Sequence, residues 1–146
     1  MKVQIVQSDE QILLCFPVLL ELRPKLVEGA FVARVRRQEK TGYRLAYLED
    51  AGQVVTAAGF RVLETLVNPR SLHIDDLVTR SSARSKGYGA ALLRWLRELA
   101  IEEACGSIQL DSSHVRKDAH RFYEQEGMLD SGLHFQMMLG ERPRPS

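Results

Sequence analysis

Thr79-Arg80-Ser81-Ser82-Ala83-Arg84-Ser85-Lys86-Gly87-Tyr88-Gly89-Ala90 joins a strand-like run, Leu72 to Thr79, to a stretch whose apolar residues recur at helical spacing. From Gly87 to Ala104 that stretch puts Leu92, Trp95, Leu96, Leu99 and Ala100 on one face, with Arg94, Arg97, Glu98 and Glu102 off it. Gly106 is placed to end the helix as a left-handed cap. Ser107 to Asp111 reads as the next strand, with Ile108 and Leu110 facing one way. Strand, helix and strand from Leu72 to Asp111 form a βαβ unit, which predicts a parallel strand pair inside a mixed sheet. The connecting segment is suited to an anion. Gly87 and Gly89 permit close backbone approach, the first N–H groups of a helix lack internal partners, and Arg84 and Lys86 add charge. It has neither the Gly-Lys-Ser/Thr of a Walker loop nor the Gly-x-Gly-x-x-Gly of a dinucleotide fold. Taken alone, it reads equally well as a solvated basic turn that opens a helix.

Working toward the N-terminus, Tyr43 to Leu48 and Gln53 to Arg61 are strand-like runs flanking Glu49-Asp50-Ala51-Gly52, a four-residue hairpin loop. With Leu72 to Thr79, after the turn at Asn68-Pro69-Arg70, they make an antiparallel meander. Lys2 to Gln7 is a short strand, and Ser8 with Gln11 forms a capping box that starts a helix, which Pro17 breaks or kinks. A second helical piece covers Val27 to Gln38 and stops at Thr41-Gly42. On the C-terminal side, a helix from about Arg116 to Glu126 ends at Gly127, Gly132 to Leu139 is a closing strand, and residues 140–146 are a flexible tail. The expected fold is α/β (α+β): one domain over residues 1–139, with a mixed central sheet, an antiparallel meander, a parallel βαβ unit and flanking helices.

A chain of 146 residues, 45% hydrophobic and 27% charged, suits one core. Lys+Arg number 20 against 19 Asp+Glu, a net charge of +1, so no global basic field draws the protein to nucleic acid. The longest apolar run, Ile12 to Leu20, falls short of the ~20 residues that span a bilayer, and it is followed by no signal-peptidase site. Cys15 and Cys105 match no metal spacing and read as small buried hydrophobes in a reducing compartment, giving a cytoplasmic protein with no membrane partner. His73, His114, His120 and His134 show neither helical pairing nor a His-Glu-x-x-His pattern, and no metal is expected. Trp95 reads as core.

Arg84-Ser85-Lys86-Gly87-Tyr88-Gly89 matches in full the pyrophosphate motif Arg/Gln-x-x-Gly-x-Gly/Ala of the GNAT superfamily of N-acetyltransferases, which the chain resembles. Ile74 to Thr79 looks like the strand preceding that motif. Ala119-His120-Arg121-Phe122-Tyr123-Glu124-Gln125-Glu126-Gly127-Met128 looks like the family's Ala-x-x-Phe/Leu-Tyr-x-x-x-Gly-Phe/Met helix. The resemblance covers Leu72 to Leu139 and thins in the first forty residues, and it implies acetyl-CoA as acyl donor and a primary amine, on a small molecule or an exposed amino group, as acceptor. It implies that backbone groups of Leu77, Val78 and Thr79 hold the pantetheine arm. Arg84 and the amides of Ser85, Lys86, Gly87, Tyr88, Gly89 and Ala90 would hold the pyrophosphate. In many members an Asn stands seven residues before the helix Tyr; here that position is Arg116, which does not take the Asn's role.

Acetyl transfer needs a neutral amine, a stabilised oxyanion and a proton for the departing thiolate. By the resemblance, Tyr123 supplies that proton, since a phenol stays protonated at neutral pH; from spacing alone it would be core. Asp111, twelve residues before Tyr123, matches the base of some members, though read locally it is first an Asp capping a strand end. Asp75 and Asp76 are neighbours on an inner strand whose pleat sends them to opposite faces. Asp76 is the candidate facing a substrate, and an ion pair with Arg61 or Arg44 is the competing reading. A backbone N–H near Leu77, freed by a bulge or splay, would serve the oxyanion, and His114 is an alternative base. The alternative function is a catalytically silent acyl-CoA-binding sensor or interaction module; a nucleic-acid module using Arg80, Arg84 and Lys86 is disfavoured by the charge balance. A homodimer is compatible with the sequence.

Overall fold

The computed structural model describes residues 2–112 and 116–140. These fall into two compact units that divide between Leu110 and Asp111. His114 and all of the tail beyond Gly140 lie outside the described residues.

In the first unit, strand β1 (Val3–Ile5) leads into helix α1 (Asp9–Leu14) through the expected capping box. The Gln11 N–H donates to Ser8 Oγ at 3.1 Å, and the Ser8 N–H donates to Gln11 Oε1 at 3.1 Å. The chain breaks at Cys15 and restarts as α2 (Phe16–Leu22) with Pro17 in its first turn, where the missing N–H costs nothing. Helix α3 (Glu28–Glu39) ends before Gly42, whose φ of +96° closes the exit turn. Strands β2 (Arg44–Asp50) and β3 (Gln53–Leu63) form a hairpin whose connection is Ala51-Gly52 alone, both with positive φ. The expected four-residue loop is shorter because Glu49 and Asp50 remain paired, with a register shift after Leu48.

Strand β4 (Ser71–Thr79), helix α4 (Tyr88–Glu102) and strand β5 (Ser107–Leu110) complete the sheet in the order β1-β2-β3-β4-β5, with the β4–β5 pair parallel. The pleat of β2 sends Leu45 and Tyr47 into one core cluster with Ile12, Val18, Phe31 and Val35. Phe60, Leu72, Leu92 and Leu96 are fully buried outside that cluster, and Trp95 packs edge-on against Phe60. Helix α4 ends differently from expectation. Ala104, not Gly106, takes the left-handed position with φ of 60°. The Ala104 N–H donates to the Ile101 carbonyl and the Cys105 N–H to that of Ala100, the Schellman pattern. Gly106 instead donates its N–H to the Arg70 carbonyl at 2.8 Å.

The second unit holds helix α5 (Lys117–Gln125), ended by Gly127 at φ of +91° with the Met128 N–H donating to the Tyr123 carbonyl. Residues 132–139 form no strand, correcting the expected closing strand. Alternation of Leu133, Phe135, Met137 and Leu139 supplies a strand-like side-chain pattern, but a strand also needs a backbone partner, and none pairs with this segment among the described residues. No helix among the described residues is long and apolar enough to cross a membrane.

Candidate active site

The loop between β4 and α4 is held from behind. The Arg80 N–H donates to the Val55 carbonyl at 2.7 Å, its Nε to the Val54 carbonyl at 3.1 Å, and the Ser81 N–H to Glu21 Oε1 at 2.9 Å. After a short 3-10 turn, Ser81–Ala83, the chain passes Ser85 at φ of 65° and reaches Gly87 at φ of 84°, the N-cap of α4. A Cβ on Gly87 would meet nothing within 4 Å, so it is the left-handed conformation and not lack of room that asks for glycine there. No side chain caps α4. Its first-turn N–H groups, at Tyr88, Gly89 and Ala90, are therefore open donors at the positive end of the helix dipole. Arg84 and Lys86 are exposed beside them. Tyr88 is turned inward and donates to the Asp50 carboxylate, which, with burial, raises its phenol above the ordinary range.

Strand β4 supplies a second open surface. Strand β5 pairs with it only from Ser71 to Ile74, whereas β3 follows it to Thr79. Within the first unit, the edge from Asp75 through Leu77, Val78 and Thr79 that faces away from β3 is thus left without a strand. A register shift opposite Gly59/Phe60 makes Asp75 the extra residue of a bulge. That bulge corrects the expectation that Asp75 and Asp76 point to opposite faces: both line one cleft of about 510 Å³ bounded by α2, α3 and Tyr43, just before β2.

In this cleft each carboxylate is already engaged. Asp75 accepts from Arg61 Nε at 2.9 Å, within an ion pair whose Nη2 lies 2.7 Å away, and lies 2.9 Å from His73 Nδ1. This is the Arg61 pairing weighed from the sequence. Asp76 takes a partner that spacing did not reveal: Arg23 Nε donates to its Oδ1 at 3.0 Å, and the Tyr43 hydroxyl to its Oδ2 at 2.9 Å. Arg44 pairs elsewhere, with Glu103. Burial first, then the Asp76 charge and hydrogen bond, push the Tyr43 phenol well above its ordinary range, so it stays a donor. A Cβ on Gly59 would fall 1.8 Å from the Tyr43 oxygen, so glycine is what lets the phenol cross β3 to reach Asp76. An isolated glycine inside a strand signals such an approach, and this one was open to notice. Arg61 also sits 5.4 Å from the centre of the Tyr43 ring.

Asp111 and Tyr123 belong to the second unit. There the exposed Asp111 carboxylate lies 3.6 Å from His134 Nδ1, and the Tyr123 ring packs edge-on against Phe122. Arg116 precedes α5 as its N-cap with no side-chain capping bond. Cys15 is buried, and burial pushes its thiol up to about 12, leaving it inert at neutral pH. Among the described residues no group of three or more His, Cys, Asp or Glu gathers as a metal site would require.

A sequence model of the acetyltransferase (GNAT) family matches residues 11–128. An uncharacterized N-acetyltransferase of Bacillus subtilis, YhdJ, is 33% identical over 117 residues, covering 80% of this chain and 82% of that protein. An aminoalkylphosphonate N-acetyltransferase of Salmonella typhimurium is 36% identical over 62 residues, 42% of this chain and 40% of its own. Among solved structures, a ribosomal-protein-alanine N-acetyltransferase from Brucella melitensis biovar Abortus superposes with a TM-score of 0.79 at 17% identity, covering 94% of this chain and all of that one, a likeness of fold. With a family match over most of its length and a relative of this identity and coverage, the chain belongs to the GNAT acetyltransferase family.

Proposed function

We propose that this protein transfers the acetyl group of acetyl-CoA to a primary amine. The observation that carries this reading is the uncapped start of α4 behind a left-handed Gly87, adjoining the stretch of β4 beyond Ile74 that β5 does not pair. Acetyl-CoA supplies an activated thioester. The open amides from Ser85 to Ala90, with Arg84 and Lys86, suit its pyrophosphate, and backbone groups of Leu77, Val78 and Thr79 suit an amide-bearing arm laid along the strand edge. A backbone N–H beside the Asp75 bulge is the donor for the oxyanion.

Asp76 orients the amine. Each of its oxygens accepts one bond and keeps a lone pair, so it can receive an ammonium group or its proton. Asp111 is the second candidate base, and Tyr123, through its hydroxyl, is the proton donor to the departing sulfur. The Salmonella relative, named for an amine substrate, supports an amine acceptor here. The test is thiol release from acetyl-CoA across an amine panel. Tyr123→Phe is expected to lower kcat by ~100- to 10,000-fold while keeping the melting shift that acetyl-CoA produces. Wild-type turnover in that variant would return Tyr123 to a packing role. Binding without thiol release from any amine would favour the silent acyl-CoA-binding module.

A further inference from the structure

The cleft at Asp75 and Asp76 has an unbalanced charge. Three cations, Arg23, Lys25 and Arg34, line it against two carboxylates. Asp76 is compensated by Arg23, and Asp75 by Arg61, which stands outside the lining. Lys25 and Arg34 are therefore left over. Both are exposed, and neither has an ion-pair partner among the described residues. Their placement is fixed by local structure: the turn that follows α2 closes with the Leu26 N–H donating to the Arg23 carbonyl at 3.1 Å and carries Lys25, while Arg34 sits on α3 between the buried Phe31 and Val35. Leu22, Leu26 and Phe31 add apolar side chains to the same lining. A cavity of about 510 Å³ is of the size that takes a small metabolite.

We propose that the acceptor is a small primary amine bearing a carboxylate or phosphonate a short carbon chain away, its anion held by Lys25 and Arg34 and its amine directed to Asp76. This deepens the acetyl-transfer reading and rests on it. The cleft lining combines two uncompensated cations, the Asp76 carboxylate and apolar side chains, a set that complements a zwitterion with a short methylene spacer. A second ammonium in place of the anion would meet Lys25 and Arg34 as like charges, so polyamines are selected against. Arg34 presents a planar fork suited to either oxyanion, and Lys25 a point charge.

The test compares initial rates with acetyl-CoA and four amines of equal reach: 2-aminoethylphosphonate, β-alanine, ethanolamine and ethylenediamine. The anionic pair is expected to show KM about tenfold or more below ethanolamine, with ethylenediamine poorest, since uniform binding of a remote group appears in KM. The phosphonate and carboxylate arms report which oxyanion the cleft prefers. Arg34→Gln and Lys25→Gln should each raise KM for the anionic amines about fivefold to tenfold relative to KM for ethanolamine, with kcat little altered. Equal KM values across the amines, a preference for ethylenediamine, or variants that move all KM values together would overturn the proposal. Melting shifts with acetyl-CoA on the same preparations separate the two levels. Absence of a shift removes the donor reading and this proposal with it. A shift accompanied by no anionic preference, or by no acetylation of any of the four amines, removes the proposal alone.

Discussion

The loop from Arg80 to Ala90 and the cleft at Asp75 and Asp76 meet at one strand, β4, but they are made of different things. The loop works through backbone: a left-handed Gly87 and a helix start with no side-chain cap. The cleft works through side chains that lock one another, with Tyr43 and Arg23 on Asp76 and Arg61 on Asp75. A backbone device tolerates side-chain change and fails when φ changes. A side-chain device fails when a single atom is moved. In the proposed function the acetyl donor is held by the first kind and the amine acceptor by the second.

Substitutions that separate the two kinds of construction test this contrast. The largest effect on stability is expected at Gly59, where an added methyl must displace the buried Tyr43 phenol and uncouple Asp76. Gly59→Ala should cost about 2 to 4 kcal/mol in denaturant unfolding. Tyr43→Phe, which removes only the hydroxyl donated to Asp76, should cost about 1 to 3 kcal/mol and leave the acetyl-CoA melting shift intact. If it abolished the shift, the separation of loop from cleft would fail.

Behind the cleft, Cys15 provides a pH readout. Its thiol is held protonated in the fold up to about 12, against an ordinary value of 9.0. The unfolded chain therefore loses that proton first as pH rises. The stability it represents is fully present below about pH 9 and falls by about 1.4 kcal/mol per pH unit until about pH 12. Melting temperatures between pH 8 and pH 10.5 should decline less steeply in Cys15→Ala than in wild type. The smallest effect belongs at the far end of α4, where Ala104 occupies a left-handed position without functional need. Ala104→Gly should add about 1 kcal/mol in denaturant unfolding, whereas Gly87→Ala, the converse change at the loop, should cost a similar amount.

Residues that work together within a few positions were readable in the chain, as was the cross-strand pairing of Arg61 with Asp75, whereas the partners that helix and strand packing brings to Asp76 were not. Ser8 with Gln11, Pro17 at the helix break, the parallel βαβ unit and the glycine loop all follow from local rules. Arg23 and Tyr43 lie 53 and 33 positions from Asp76, and only the packing of α2 and β2 on β4 unites them. The bulge at Asp75 defeated the simple two-residue alternation, because one inserted residue turns its neighbour to the same side. Near Gly106 the nearest glycine looked like the helix stop, yet Ala104 makes the cap, since the Schellman bonds fix where the helix ends more strongly than residue preference does. The alternation from Leu133 to Leu139 was a true pattern without a backbone partner among the described residues.

The central claim, that backbone geometry at Gly87 makes an acetyl-CoA site, is tested most directly by thermal melts of wild type and Gly87→Val with and without acetyl-CoA. Wild type should be stabilised by about 2.7 kcal/mol at a hundredfold excess of acetyl-CoA over its dissociation constant. Gly87→Val, unable to hold φ near 84° without strain, should keep a cooperative transition and show no shift. A shift of equal size in both proteins, or none in wild type at millimolar acetyl-CoA, would contradict it.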